Sequence, residues 1–423
     1  MASNTASAPV QFNLREGEFV AMMAMLMALQ ALCIDSMLPA LGAIAHDLNV
    51  TDPNRRQLVV GVFLIASGFA ALFPGALADR FGRRPVLFGG LAIYILLAIG
   101  CALAESFEAL LTMRVLHAIG SAALAVMPSA IIRDRFAGDR MARAMSTISV
   151  VFMIVPMLAP SYGQAVLLVA SWRWIFAGMA LMALVVGGWV WLRLPETLHP
   201  EFRQQIEPIT IVRNMGRAAT NRAAIGYVIG SSLVMGGLFG FINSAQQLVA
   251  EHFGAGTMFP LLFAMGAGSM ALANFTNSRI VERFGARRVS HFALLAFIAV
   301  STVQVIQAAS GHETLWQFMP LMAANMCLVG FIGANFGSIA MQPFAEIAGA
   351  ASSFQACARM VIGATIGALA GAAFDGTALP LALTLLGGGL GSLALVLFSE
   401  HGRLFRRLNP PGTPRIPGAS PPR

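Results

Sequence analysis

Twelve stretches of this chain are too long and too apolar to fold in water. They run approximately over residues 19–45, 57–78, 85–104, 108–132, 143–169, 172–193, 223–250, 257–279, 289–309, 314–341, 348–374 and 378–399. Several exceed the roughly 18 apolar residues that mark a membrane-crossing helix. In hydrocarbon every backbone N–H and C=O needs an internal partner, so the segments are predicted to be helices. Barrel strands would alternate every second residue, and these runs do not. Only 11% of residues are charged, against about 25% in a soluble domain. The prediction is an all-α integral membrane protein with twelve transmembrane helices.

Charge placement orients the chain. All 27 basic residues are arginine. An even number of crossings puts both termini on one side. If that side is the cytoplasm, 22 arginines fall inside and only Arg55, Arg56 and Arg173 outside, with Arg114 and Arg359 within segments. This is the positive-inside bias, and it predicts cytoplasmic N- and C-termini. Such short basic bursts between apolar runs argue against a nucleic-acid partner. Trp172, Trp174, Trp189, Trp191 and Trp316 sit at predicted interfaces, as aromatic belts do. The first segment is too long for a signal peptide and contains Asp35, so it reads as an uncleaved helix. The Pro- and Gly-rich end of residues 400–423 reads as a disordered tail. Cys33, Cys101, Cys327 and Cys357 stand singly, implying no metal site, disulfide framework or redox motif. With no nucleophile–base cluster visible either, the chain does not read as an enzyme.

Residues 195–222 form a long polar linker dividing residues 1–194 from 223–399, six segments from six. Asp79-Arg-Phe-Gly-Arg-Arg84 recurs as Glu282-Arg-Phe-Gly-Ala-Arg-Arg288, each after the second segment of its half. Two parallel six-helix repeats joined by a cytoplasmic linker is a transporter layout. The stretch GALADRFGRR resembles the loop 2–3 signature of the major facilitator superfamily, with Gly75, Asp79, Arg80, Gly82, Arg83 and Arg84 at its named positions. LCIDSMLPALGAIAHDL in segment 1 is similar to the bicyclomycin/chloramphenicol-resistance (Bcr/CflA-like) group of drug:proton antiporters. MRVLHAIGSA in segment 4 resembles the R-x-x-Q-G pattern of proton-coupled members, with His117 and Ala118 replacing Gln and Gly. VPMLAPSYGQ in segment 5 is similar to the antiporter motif, keeping Pro156, Pro160 and Gly163.

An ionised carboxylate deep in a bilayer costs several kcal/mol, which makes an intramembrane acid a functional candidate. Asp35 is the only acid deep within a segment. Counting about 1.5 Å per residue puts Asp35 roughly 6 Å, and Arg114 roughly 9 Å, outside their segment centres. The two therefore share a depth, where charges pair or face a wet cavity. Burial raises a carboxylate's pKa in general and a guanidinium nearby lowers it, so balanced effects can load and release a proton. The resemblance implies the same roles, Asp35 as protonation site and Arg114 as coupling cation. A structural ion pair fixing segment 1 against segment 4 is the plainer reading.

Other polar residues stay open between two uses. His117 is either a relay or a satisfied core histidine. Arg359 either faces a cavity, meeting Asp35 or an anionic cargo group, or binds backbone carbonyls. Asn243, Gln246, Gln247, Asn325, Asn335 and Gln355 either line that cavity or bond helices together. Gly75 is expected to permit close helix approach, Gly82 a left-handed turn, and Pro85 to open the next helix. Asp79 is expected to latch onto an arginine or a helix N-terminus; the resemblance implies that it stabilises the outward-facing state. Pro156 and Pro160 predict a bend, and Gly363, Gly367 and Gly371 a close-packing ridge.

These readings point to proton-coupled efflux of small, largely apolar compounds, driven by the proton gradient with no cofactor and no metal. The partners are small-molecule cargo, protons and the lipid bilayer, and the chain is expected to act as a monomer in a bacterial inner membrane. A proton-coupled uptake symporter for a small anionic metabolite, and a non-transporting receptor or scaffold, are the alternatives.

Overall fold

The computed structural model describes residues 14–406 apart from 53, 137, 199, 200, 202–207, 345 and 346. The described chain is helical: α1 (Glu16–Asp35), α2 (Leu41–Asp47), α3 (Leu58–Ala70), α4 (Pro74–Phe81), α5 (Arg83–Ala102), α6 (Phe107–Arg135), α7 (Gly138–Leu167), α8 (Arg173–Arg193), α9 (Pro208–Thr220), α10 (Arg222–Gln246), α11 (Phe259–Phe284), α12 (Ala286–Ala309), α13 (Leu315–Met341), α14 (Ala348–Ala372) and α15 (Leu379–Ser399). Among the described residues ten helices, counting α1–α2 as one, are long and apolar enough to cross a bilayer, and the bent pair α3–α4 makes an eleventh. The remaining expected segment is occupied by α7, whose stretch Ile154–Leu167 is apolar.

Two expected crossings are broken, each at a proline. Pro39 has no N–H to give to the carbonyl of Asp35, four residues back, so α1 ends at Asp35 and a short 3-10 turn, Leu38–Ala40, leads into α2. Pro74 likewise opens α4, which is bent by 43° from α3. The expected linker is not wholly loop, since α9 lies inside it.

Helices α1, α3, α5, α6, α7 and α8 pack together, as do α10 to α15, and the two groups meet along α3–α14 and α7–α11. The predicted glycine ridge is used for packing: Gly363, Gly367 and Gly371 of α14 face Met235, Phe239 and Asn243 of α10 with little or no space for a Cβ. The outer surface is apolar, with Leu96, Leu181, Leu192 and Phe292 exposed, as helices solvated by lipid require.

The loop between α4 and α5 is built around Gly82, whose φ of 104° is costly for any residue with a Cβ. Arg83 and Arg84 then start α5, with Pro85 third in the helix rather than first. Their backbone N–H groups donate to Glu196 Oε1 and Oε2 at 2.9 and 3.1 Å. Gly75 makes no close approach, because a Cβ there would meet nothing within 4 Å. Much of the expected tail, residues 407–423, lies outside the described residues; its beginning is anchored, for Phe405 N donates to His291 Nδ1 at 3.0 Å.

Candidate functional site

A cavity of about 1650 Å³ lies between the two helix groups. Its deep wall includes Gln30, Asp35, Phe241, Arg359 and Met360. From there it runs to Asp79, Arg83, Arg133 and Asp134 at the end bearing the loop signature, with Val212 and Met215 of α9 at its edge. The opposite end is closed by polar contacts between the groups. Gln57 Nε2 donates to Gln247 Oε1 at 2.8 Å, and Gln247 Nε2 to Asn54 Oδ1 at 2.9 Å. Asn54 Nδ2 reaches the carbonyls of Ala372 and Phe374 at 3.0 and 2.9 Å. Arg56 pairs with Glu251 beside them.

Asp35 stands at the C-terminal end of α1, only 4% exposed but on the cavity wall. Its Oδ1 has no hydrogen-bond partner among the described residues. The break at Pro39 puts it there, because the helix that would have continued past it stops. Gly163 of α7 holds the break: a Cβ at that position would collide with the Ser36 carbonyl and touch Pro39. The segment 5 motif therefore braces the turn next to the acid, and Pro156 of the same helix lines the cavity.

Arg114 does not pair with Asp35. Its guanidinium is fully buried and donates to the carbonyls of Cys33 and Val59, at 3.2 and 3.1 Å, and to Cys33 Sγ at 3.2 Å. It also lies 4.0 Å from the centre of the Phe63 ring. Because α1 ends two residues later, the Cys33 carbonyl is one of the last-turn acceptors that a helix cannot satisfy itself. Arg114 supplies that donor, tying α1, α3 and α6 together behind the cavity wall. Its contact with α1 is to backbone and sulfur, not to the carboxylate.

His117 takes the core-histidine reading rather than the relay. It is buried beside Cys33, with Sγ 3.4 Å from Nδ1, and its ring centre is 4.4 Å from that of Tyr94. It does not line the cavity.

Three of the six amide candidates, Asn325, Asn335 and Gln247, bond helices or helix groups together. Asn325 Nδ2 donates to Gln304 Oε1 at 2.8 Å, and Asn335 Nδ2 to Asn277 Oδ1 at 2.7 Å. Asn243 Nδ2 donates to its own helix at the Phe239 carbonyl, 2.7 Å away. Gln246 and Gln247 belong to the closed end, Gln246 beside Gly42. Of the seven proposed cavity residues only Gln355 and Arg359 line open space. Gln30, Ser67 and Asn274, which were not singled out in the sequence, line it instead. Their only advance signal was a polar residue in an apolar run, which carries no information about which way a helix is turned.

In the loop signature Asp79 latches onto an arginine of its own loop, Oδ1 accepting from Arg83 NH1 at 2.5 Å. Arg83 also donates to Asp134 Oδ2 at 3.0 Å, and Thr197 Oγ1 to that oxygen at 2.7 Å. Arg84 donates to the Trp191 carbonyl at 2.8 Å and stacks over that ring, while Arg80 lies over Phe81. Glu196, absent from the sequence expectations, caps this assembly. No group of three or more His, Cys, Asp or Glu that could hold a metal ion occurs among the described residues.

The comparisons agree with this architecture. The chain is 29% identical over 371 residues to a bicyclomycin resistance protein homolog of Haemophilus influenzae, covering 87% of this chain and 92% of the relative. It is 28% identical over 324 residues to the multidrug resistance protein MdtL of Escherichia coli, covering 76% and 80%. Among solved structures, an auto-inhibited POT family peptide transporter superposes with a TM-score of 0.71 at 16% identity, over 94% of this chain and 98% of the other. The nucleoside transporter NupG gives 0.67 at 16% identity, over 91% and 99%. The sequence model of the Major Facilitator Superfamily matches residues 20–368. The chain belongs to the major facilitator superfamily and is similar, within it, to bicyclomycin- and multidrug-resistance transporters.

Proposed function

We propose that the chain is a proton-coupled efflux transporter of the bacterial inner membrane, exchanging small, largely apolar compounds for protons by alternating access. The basic end bearing residues 79–84 is taken as cytoplasmic, by the arginine asymmetry. The cavity is then open to the cytoplasm and closed toward the outside by the Asn54, Gln57 and Gln247 contacts.

The carrying observation is the Asp35 carboxylate, unpaired at Oδ1 and set in the wall of that cavity. Such a group is stabilised by a proton or by a donor on cargo, and the two compete. Cargo entering from the cytoplasm favours the ionised form. After the two helix groups rock over, a proton from outside displaces the cargo's hold, and the protonated carrier returns. Inward proton movement gains about 2.3 kcal/mol per 100 mV, which drives export. Arg114 acts as a positioning residue, fixing the end of α1 through the Cys33 carbonyl. Relatives named for drug resistance support the direction of transport.

The test is transport of a neutral fluorescent drug in proteoliposomes under an imposed pH gradient. Asp35→Asn is expected to abolish gradient-driven accumulation while retaining downhill exchange of cargo for cargo. Normal pumping by the variant would remove Asp35 from the coupling role.

A further inference from the structure

We propose that the cavity carries an anion subsite at Arg359, and that its preferred cargo is amphipathic and bears a carboxylate. This rests on the cavity being the transport site.

Arg359, near the middle of α14, is a deep cation that faces open space. Among the described residues it has neither an ion pair nor a hydrogen bond. Arg114, the other deep arginine, spends its donors on two carbonyls and a thiol. The contrast is informative, because a buried guanidinium needs partners. Arg114 has them built in; Arg359, half-buried on the cavity wall, takes none from the chain and presents its donors to the cavity.

The surroundings are shaped for a ligand group. Arg359 sits where the main cavity meets a side pocket of about 470 Å³. Gly333, Ala334, Gly337 and Ser338 of α13 form one wall of the pocket, and Gln355, one turn before Arg359 on α14, forms another. Gln355 is likewise without a hydrogen-bond partner among the described residues. The small residues leave room beside α13, and the amide and guanidinium present their donors from one helix face. A planar carboxylate fits a guanidinium in two parallel hydrogen bonds, and the charge-assisted bonds are strong. The rest of the cavity offers Phe239, Phe241, Phe263 and Met326 to an apolar body.

The charge balance suits exchange for a proton. With Asp35 ionised and a monocarboxylate bound, the two arginines, Asp35 and the cargo sum to zero. With Asp35 protonated and the cavity empty they sum to +2. The outward step then carries no net charge across the field, and the inward return is pulled by a negative interior.

The experiment compares naphthaleneacetate with naphthaleneacetamide, which has nearly the same shape and no charge, in equilibrium binding to the purified transporter in nanodiscs. Wild type is expected to bind the acid about tenfold or more tighter than the amide, as charged hydrogen bonds imply. Arg359→Gln should erase the difference, Arg359→Lys should keep part of it, and Gly337→Val, which fills the side pocket, should weaken the acid. Equal affinities in wild type, no binding of either compound, or a preference surviving in Arg359→Gln would overturn the subsite; the lysine and valine variants decide the matter if the glutamine variant does not fold. Failure here leaves proton-driven efflux of the neutral drug intact, whereas loss of that efflux in wild type removes the function on which the subsite rests.

Discussion

Glu313, in the turn between α12 and α13, has both carboxylate oxygens buried without a hydrogen-bond partner among the described residues. Burial pushes its pKa from 4.5 up to about 7. The folded state therefore holds a proton that the unfolded chain gives up, so the stabilisation is complete below about pH 4.5 and is lost as pH rises through about 7. The melting temperature of the wild type in nanodiscs should fall between about pH 5 and about pH 8. Glu313→Gln, neutral throughout, should flatten that dependence and melt higher than wild type at the alkaline end. A wild-type profile as flat as the variant's would contradict this placement. Arg114 shows a different limit of single residues. Its depth could be counted along the chain, but the acceptor it would find depended on α1 ending at Asp35, which exposes the Cys33 carbonyl. Asn325 and Asn335 were likewise visible as polar residues in lipid, yet their partners Gln304 and Asn277 lie on other helices. Which face of a helix looks into the cavity is decided by packing, and hydropathy does not record it.

At the scale of elements, the break in the first crossing organises the site. Pro39 stops α1, Asp35 is left at the cavity wall, and α7 presses against the turn through Gly163. Close approach of two backbones is fixed by the missing Cβ, so Gly163→Ala must push α7 away from Ser36 or tilt the end of α1. Displacements of this kind, of about 1 Å, can cost 100-fold in rate. The proposed proton-driven efflux should fall at least about tenfold in Gly163→Ala, with membrane insertion unchanged. Gly188→Ala, where a new Cβ meets nothing within 4 Å, should run as wild type. Similar rates for the two variants would mean that the brace has no role. Elements were the most legible part of the sequence, because a crossing helix is written in local hydropathy and the turn at Gly82 in a single glycine. The breaks were less so: LPAL was conspicuous as a motif, while its consequence, a helix that stops beside the acid, required knowing that no neighbour carries the helix through the proline.

At the scale of the molecule, the cavity is open at the 79–84 end and the other end is held shut by polar contacts between the groups. Gln247 accepts from Gln57 and donates to Asn54, joining α10 to the chain ahead of α3, and Asn54 in turn reaches the end of α14. Each such bond contributes about 0.5–1.5 kcal/mol. Losing the bonds to Gln57 and Asn54 alone is worth about 1–3 kcal/mol, enough to move a two-state equilibrium about 5- to 150-fold. Gln247→Ala should therefore populate the oppositely open state. Spin labels at Thr51 and Ala373, both exposed and on either side of the closure, should show a new, longer distance in the variant and a single short one in wild type. Glu251→Gln should shift the balance less, because Glu251 is 44% exposed and its pairing with Arg56 is screened. Cargo binding from the 79–84 side should weaken in proportion to the population lost, since affinity scales with the fraction of carriers competent to bind. An unchanged distance distribution in Gln247→Ala would place the closing energy elsewhere, in the apolar packing of α3 against α14, and the polar contacts would then only follow the motion.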